Sequence, residues 1–336
     1  MPNIFILGSG SFSLAIANMA VCNENNTVTV WSAFKQEIDD IIKYGEHKQK
    51  LPGVKISERI NFTDDISKAS DAEIIIFGIP SSFVRDVANK VKPFAQKCRC
   101  IVNTGKGFDG ETHDVLSKVI SDTITDKPVV VLSGPSHAEE VAVGIPTAVV
   151  AASDDIKSAE YVQESLSTPS FRIYTGGDPL GCEIGGALKN IIALCAGICD
   201  GLGCGDNTRA LLMTRGMTEI CRLGVAMGAK AETFAGLTGL GDLIVTCTSM
   251  HSRNRRAGIL IGQGVNADEA VKQIGTVEGY HCCKAAYDIS RKYGVEMPIT
   301  ESLYAVLFEG ANINEKFSLL MARPQKHEAE NYSDKA

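Results

Sequence analysis

The sequence is short of several things that would fix a class of function at once. Positive charge is one: 33 lysines and arginines stand against 40 acidic residues, a formal charge of −7. Such a chain has no global basic field to recruit nucleic acid or an anionic membrane, so neither is expected as a partner. Any anionic ligand must be gathered by a local basic cluster. Paired cysteine motifs are also missing. The 11 cysteines are odd in number and show no CxxC spacing, so reduced thiols are expected rather than a disulfide framework, and no metal site. No basic n-region or cleavage site precedes the first strand in MPNIFILGSG, so no secretion signal is expected. The longest apolar run is expected near VAVGIPTAVVAA, which Gly and Pro break too often for it to cross a bilayer. Repeats and low-complexity tracts are absent as well. The expectation is a soluble cytoplasmic protein.

What is present is a chain of 336 residues, 44% hydrophobic and 22% charged, long enough for a large core and for two domains. In the first half, β-rich runs at residues 3–7, 27–31, 73–78, 99–103, 129–133 and 147–151 alternate with helix-length stretches at 11–22, 82–91 and 112–121. That alternation predicts a mainly parallel sheet covered by helices. After about residue 179 strands vanish, and helices are expected at 180–199, 207–227, 254–263, 277–293 and 300–309, with glycines at several of their ends.

The segment NIFILGSGSFSLAIANMA reads as a strand, a Gly-x-Gly turn at Gly8 and Gly10, and a helix. Gly8 permits the tight turn and Gly10 lets the backbone approach a pyrophosphate. The helix beginning at Ser11 and Phe12 offers its N–H groups and positive dipole end to that anion. Ser13 stands where a third glycine is usual. The fold class is therefore an α/β N-terminal Rossmann-type dinucleotide-binding domain (residues 1–185) followed by an all-α C-terminal substrate and catalytic domain (186–325) and a polar tail (326–336). The end of the second strand, VTVWSAFK, carries no acid for a ribose 2′-hydroxyl. Ser32 or Lys35 could accommodate a 2′-phosphate, so NADP is favoured as cofactor, with NAD possible.

Three further stretches carry candidate anion contacts. NTGKGF places Lys106 between glycines just after a strand, at the carboxyl edge of the sheet, and LSGPSHAEE brings Gly134, Pro135 and Ser136 to the same edge. GLTGLGDLIVTCTSMHSRNRR sets Asp242 in a glycine-rich apolar run, then Thr246, then Ser252, Arg253, Asn254, Arg255 and Arg256. Arginine forks pair bidentately with phosphate, and a helix starting near Asn254 adds backbone donors. In GGALKNIIALCAGICDGLGCG one base, Lys189, sits among small apolar residues. Desolvation there would lower its pKa, as a general acid or base for an alcohol/ketone pair requires, whereas a nearby carboxylate such as Asp242 would oppose that shift. A lysine whose ammonium snorkels to water is the plainer alternative.

Taken in order and spacing, GSGSFSLAIA, NTGKGF, LSGPSHAEEVAVGIPTAV, GGALKNIIALCAGICDGLGCGDNTRA, GLTGLGDLIVTCTSMHSRNRR and EMPIT make the chain resemble the bacterial-type NAD(P)-dependent glycerol-3-phosphate dehydrogenases over nearly its whole length. The resemblance implies interconversion of dihydroxyacetone phosphate and sn-glycerol 3-phosphate, supplying phospholipid synthesis. It implies that Lys189 is the catalytic acid/base, with Asp242 beside it. It also implies that Lys106, Gly134, Ser136, Asp242, Thr246, Ser252, Arg253 and Asn254 contact the phosphorylated substrate. Ser11, Phe12, Lys106, Ala138, Arg253, Val277 and Glu278 would contact the dinucleotide, along with Gly8 and Gly10. A homodimer is expected from the same resemblance. Three departures stand out: Ser13 for the last glycine, Ala33 where many relatives have His or Arg, and TVEG for the usual VVEG. Two other readings share parts of this pattern. A carboxylate-specific hydroxyacid dehydrogenase would share the sheet and a helix-borne lysine, and a dinucleotide sensor would have no need of Lys189, Asp242 and the arginines together.

Overall fold

In the computed structural model, which describes residues 2–325, 327 and 328, the first half of the chain builds one eight-stranded sheet. Its strands are β1 (Asn3–Leu7), β2 (Thr27–Trp31), β3 (Ile60–Thr63), β4 (Ile74–Phe77), β5 (Cys100–Asn103), β6 (Val129–Ser133), β7 (Thr147–Ala152) and β8 (Phe171–Gly176). Their spatial order is β3-β2-β1-β4-β5-β6-β7-β8. β1 to β6 run parallel, and β7 meets β6 antiparallel with β8 parallel to β7. The expected alternation is there, with two strands added. β3 and β8 are the edges of the sheet. β8 alternates buried Phe171 and Ile173 with exposed Arg172 and Tyr174, so half of its residues look like loop to a reader of hydrophobicity.

Side-chain alternation sorts the core into two faces. Ile4, Ile6, Val28, Val30, Ile74, Ile76, Cys100 and Val102 pack on one face with Leu14, Ala15 and Ile16 of the Ser11–Ala20 helix. Phe5, Leu7, Ile75, Phe77 and Ile101 pack on the other with Val84, Val87 and Val91 of the Val84–Val91 helix and Leu116 and Ile120 of the Leu116–Thr123 helix. Register then builds the functional rim. Trp31 pairs with Leu7, Leu7 with Phe77 and Phe77 with Asn103, so the residues that follow (Ser32, Gly8, Gly78 and Thr104) line one carboxyl edge. In a sheet of this order ligands bind at that edge, beside the β1/β4 switch point.

The chain divides into the compact units Met1–Pro179 and Leu180–Ala336. The division falls upstream of the step expected at residue 185, because the Pro179–Gly201 helix runs unbroken through it. The second unit is helical among its described residues, and most of the expected tail (326–336) lies outside them. Among the described residues its Pro179–Gly201 helix, not the run near residue 145, is the segment long and apolar enough to cross a membrane, and its most apolar 18-residue stretch is buried within the protein. Among the described residues no disulfide forms and no group of three or more His, Cys, Asp or Glu is placed to hold a metal. Burial pushes thiols such as Cys98 up to about 11 and Cys100 up to about 12, which leaves them poor nucleophiles.

Candidate active site

The nucleotide cradle is built by the first βα turn. Gly8 has φ +107°, and a Cβ there would lie 2.7 Å from the Gly78 carbonyl oxygen and from Ile79 Cγ2, so no other residue fits. Its N–H donates to Trp31 O at 2.8 Å. Gly10 is the N-cap of the Ser11–Ala20 helix and supplies no side-chain cap, so the first-turn N–H groups face an anion's position. Ser13 takes the place of the third glycine by moving the small residue across the gap. Its hydroxyl donates to Gly78 O at 2.8 Å, and a Cβ on Gly78 would sit 2.1 Å from Ser13 Oγ. Strand and helix therefore approach as closely as a third glycine would allow. The cradle fits a dinucleotide pyrophosphate.

Farther along the same edge, Lys106 Nζ donates to Gly134 O at 3.1 Å, and Ser136 Oγ donates to the same oxygen at 3.0 Å. Gly134 has φ +146°, and a Cβ there would press on Val149 Cα at 3.0 Å. The three expected residues are thus brought together, with Ala138 opening the short Ala138–Val141 helix just after them. The loop after Lys106 is anchored by Asp109. Burial raises its carboxyl, but Arg85 (2.7 Å) and Thr112 (N–H at 2.9 Å) hold it down to about 2.

In the second unit Lys189 is buried at mid-helix. Its Nζ donates to Asp242 Oδ1 at 2.5 Å and to Thr246 Oγ1 at 2.7 Å, and Thr246 Oγ1 in turn donates to Asp242 O at 2.6 Å. The snorkelling alternative is excluded. The approach is made possible one turn earlier: a Cβ on Gly185 would lie 2.7 Å from Thr238 O, inside the π-helical turn Leu237–Gly241 that delivers Asp242. Buried ion pairs are seldom net stabilisers against apolar replacements, so a pair held this tightly points to chemistry.

The basic run separates by helical phase. Ser252 caps the Arg253–Gly262 helix, accepting from Arg255 N at 3.2 Å, and Arg253 and Arg256 face outward. Arg255 turns inward, donating to Asp200 Oδ2 at 2.7 Å and Thr248 O at 2.6 Å, so this arginine is structural and not part of an anion clamp. Asn254 is buried, donating to Asn190 Oδ1 at 3.0 Å and accepting from Gly279 N at 2.8 Å. It ties the Lys189 helix to the start of the Glu278–Tyr293 helix, where Val277 is the buried N-cap and Glu278 sits in the first turn.

Sequence reading missed the acid beside the second strand. It is Glu37, in the first turn of the Lys35–Tyr44 helix, whose carboxylate reaches back to Ser9 and Ser32. The signal available was a Glu in a helical first turn six positions after Trp31; nothing in the spacing says which way it points.

A Rossmann-ordered sheet with a Gly-x-Gly cradle, and a separate helical unit carrying a buried Lys–Asp pair, define a nicotinamide-dinucleotide-dependent dehydrogenase. Models of the N-terminal and C-terminal regions of NAD-dependent glycerol-3-phosphate dehydrogenase match residues 3–159 and 178–318. Glycerol-3-phosphate dehydrogenase [NAD(P)+] of Clostridium acetobutylicum is 49% identical over 98% of this chain and 99% of its own. The Moorella thermoacetica protein of the same name is 48% identical over 98% of each. The crystal structure of glycerol-3-phosphate dehydrogenase from Coxiella burnetii superposes with a TM-score of 0.91 at 35% identity, over 96% of this chain and 99% of that one. The chain belongs to the NAD(P)-dependent glycerol-3-phosphate dehydrogenase family.

Proposed function

We propose that the chain interconverts dihydroxyacetone phosphate and sn-glycerol 3-phosphate with NAD(P)H, with Lys189 as the acid/base. The carrying observation is the buried Lys189 ammonium fixed by Asp242 at 2.5 Å and Thr246 at 2.7 Å. The first unit is the dinucleotide-binding unit: Gly8, Gly10, Ser11 and Phe12 take the pyrophosphate at the helix N-terminus, and Ala138 adds a contact. When bound, the dihydronicotinamide supplies the hydride that the ketone carbon receives. Lys189 donates a proton to the ketone oxygen as charge develops there, a contribution made in the transition state and not in the ground state. Asp242 and Thr246 hold two of the Nζ–H directions, so the ammonium is aimed before substrate arrives.

The basic helix start carries the phosphate handle, with Arg253 outward and Ser252 and Asn254 setting its position. Lys106, Gly134 and Ser136 offer a further contact for the anionic substrate, and Val277 and Glu278 one for the cofactor. A phosphate held remotely supplies positioning energy, so an unphosphorylated ketone loses kcat as well as affinity. Supply of glycerol 3-phosphate for phospholipid synthesis, a cytoplasmic location and a homodimer complete the reading. Sedimentation velocity tests the homodimer.

The test is initial-rate oxidation of NADH and NADPH with dihydroxyacetone phosphate, wild type beside Lys189→Met. Loss of an aimed acid lowers kcat by about 10²–10⁴, with nucleotide Kd unchanged. Wild-type kcat in Lys189→Met refutes the acid/base role, and no turnover of either nucleotide by the wild type refutes the activity.

A further inference from the structure

At the tip of β2, four side chains from three segments meet one carboxylate. Glu37 Oε2 accepts from Ser9, the middle residue of the Gly-x-Gly turn, and from Ser32 Oγ at 3.2 Å; the two hydroxyls lie 3.0 Å apart. Glu37 Oε1 accepts from Lys50 Nζ at 2.5 Å, with His47 Nε2 at 3.6 Å. Burial of Glu37 raises its carboxyl, but Lys50, Ser9 and the charge of His47 outweigh that and hold it below its ordinary value. At neutral pH the group is an anion. Phe34 beside it is largely exposed, its N–H donating to Ser32 Oγ at 3.2 Å.

In a sheet of this order the adenosine ribose lies next to the glycine turn and the end of the second strand, where an acid accepts from the 2′-hydroxyl and a cation accommodates a 2′-phosphate. Here that place holds a pinned carboxylate touching the turn itself, and the exposed positions after Ser32 are Ala33, Phe34 and Lys35, the last at the start of the helix that carries Glu37. We propose that Glu37 discriminates between the two nicotinamide dinucleotides, accepting from the ribose 2′-hydroxyl and repelling a 2′-phosphate, so that the chain favours NADH over NADPH. This rests on the dinucleotide-binding reading of the first unit and runs against the NADP preference drawn from the strand end alone. Lys50 and His47, on the far oxygen, orient the carboxylate. Once its charge is removed Lys50 becomes a cation available to a phosphate.

Fluorescence titration of NADH and NADPH, without substrate, reads the proposal directly. A hydrogen bond to a charged group, lost and replaced by repulsion, makes NADH bind roughly ten- to a hundredfold tighter than NADPH in the wild type. Glu37→Gln brings the ratio close to one, NADPH gaining as NADH weakens. As a measure free of mutation, AMP should displace NADH at least as well as adenosine 2′,5′-bisphosphate does. NADPH binding as tightly as NADH to the wild type overturns the proposal. So does a Glu37→Gln protein in which both affinities fall in parallel, which marks a structural role. Binding of neither dinucleotide by the wild type overturns the reading of the first unit itself.

Discussion

Replacing Gly258 by alanine should separate the lysine-bearing helix from the helix proposed to anchor the phosphate. The two cross through glycines: Gly197 and Gly201 on the Pro179–Gly201 helix face Gly258 and Gly262 on the Arg253–Gly262 helix. A Cβ at Gly258 would lie 2.1 Å from Leu194 O and 2.8 Å from Ile198 N, both backbone atoms that cannot swing aside. An ordinary contact is about 3.5 Å, so the helices must part by about 1.4 Å. Asn254 lies one turn before Gly258, and its 3.0 Å bond to Asn190 does not survive a stretch of that size. The strain costs about 1–3 kcal/mol, a fall in Tm of about 2–12 °C for a unit of this length at about 2–4 °C per kcal/mol. A misplacement near 1 Å costs about a hundredfold in kcat/KM. Differential scanning fluorimetry and steady-state kinetics below the transition measure both. Gly110→Ala is the control, since nothing lies within 4 Å of a Cβ there. A Gly258→Ala protein with wild-type Tm and kcat/KM would refute the reasoning.

Two further outcomes follow from single sites. Gly78→Ala drives a methyl to 2.1 Å from Ser13 Oγ and should weaken NADH binding by about tenfold or more, as overpacking of this size costs about 1–3 kcal/mol. The double variant Ser13→Gly with Gly78→Ala exchanges the small residue and should regain most of the affinity; no recovery in the titration would refute the pairing. Glu219 is wholly buried, and burial pushes its carboxyl from 4.5 up to about 7 despite bonds from Ile299 N (2.6 Å), Thr300 N (3.2 Å) and Thr300 Oγ1 (3.2 Å). A carboxyl with a raised folded pKa takes stability away as pH rises between the unfolded and folded values, here on the order of 3 kcal/mol from pH 4.5 to 7 and nothing further above. Asp109, held down to about 2, acts in the opposite sense and only below about pH 4, so it does not mask this window. Tm of Glu219→Gln should be flat from pH 5 to 8 relative to wild type, and an equal slope in both proteins would count against Glu219 as its source.

Local rules carried the reading as far as one chain segment can speak for itself. The strand, Gly8–Gly10 turn and helix were legible because each requirement lies within 20 residues: a left-handed φ, room for a phosphate, a helix start. Lys189 was visible as an anomaly, since a base in an apolar helix demands a partner. Asp242, 53 positions on, was only a nominee until the π-helical turn brought it within reach. Where two segments share one requirement, sequence shows half of it. The third glycine of the cradle is not lost but displaced to Gly78, 65 residues from Ser13, and no spacing rule connects them. The end of β2 carries no acid, and the carboxylate that reaches that place, Glu37, comes from the following helix, where direction depends on which face of the helix meets Ser9. The same phase question splits the four consecutive polar residues Arg253 to Arg256, which become an exposed cation, a buried amide link, a partner of Asp200 and a second exposed cation. Spacing of four between Gly197 and Gly201, and between Gly258 and Gly262, announces a close helix crossing without naming the partner. What makes that crossing functional is its place, two turns beyond Lys189 on one helix and one turn beyond Asn254 on the other. On the proposed reading, a packing contact thereby fixes how far the phosphate handle stands from the proton donor.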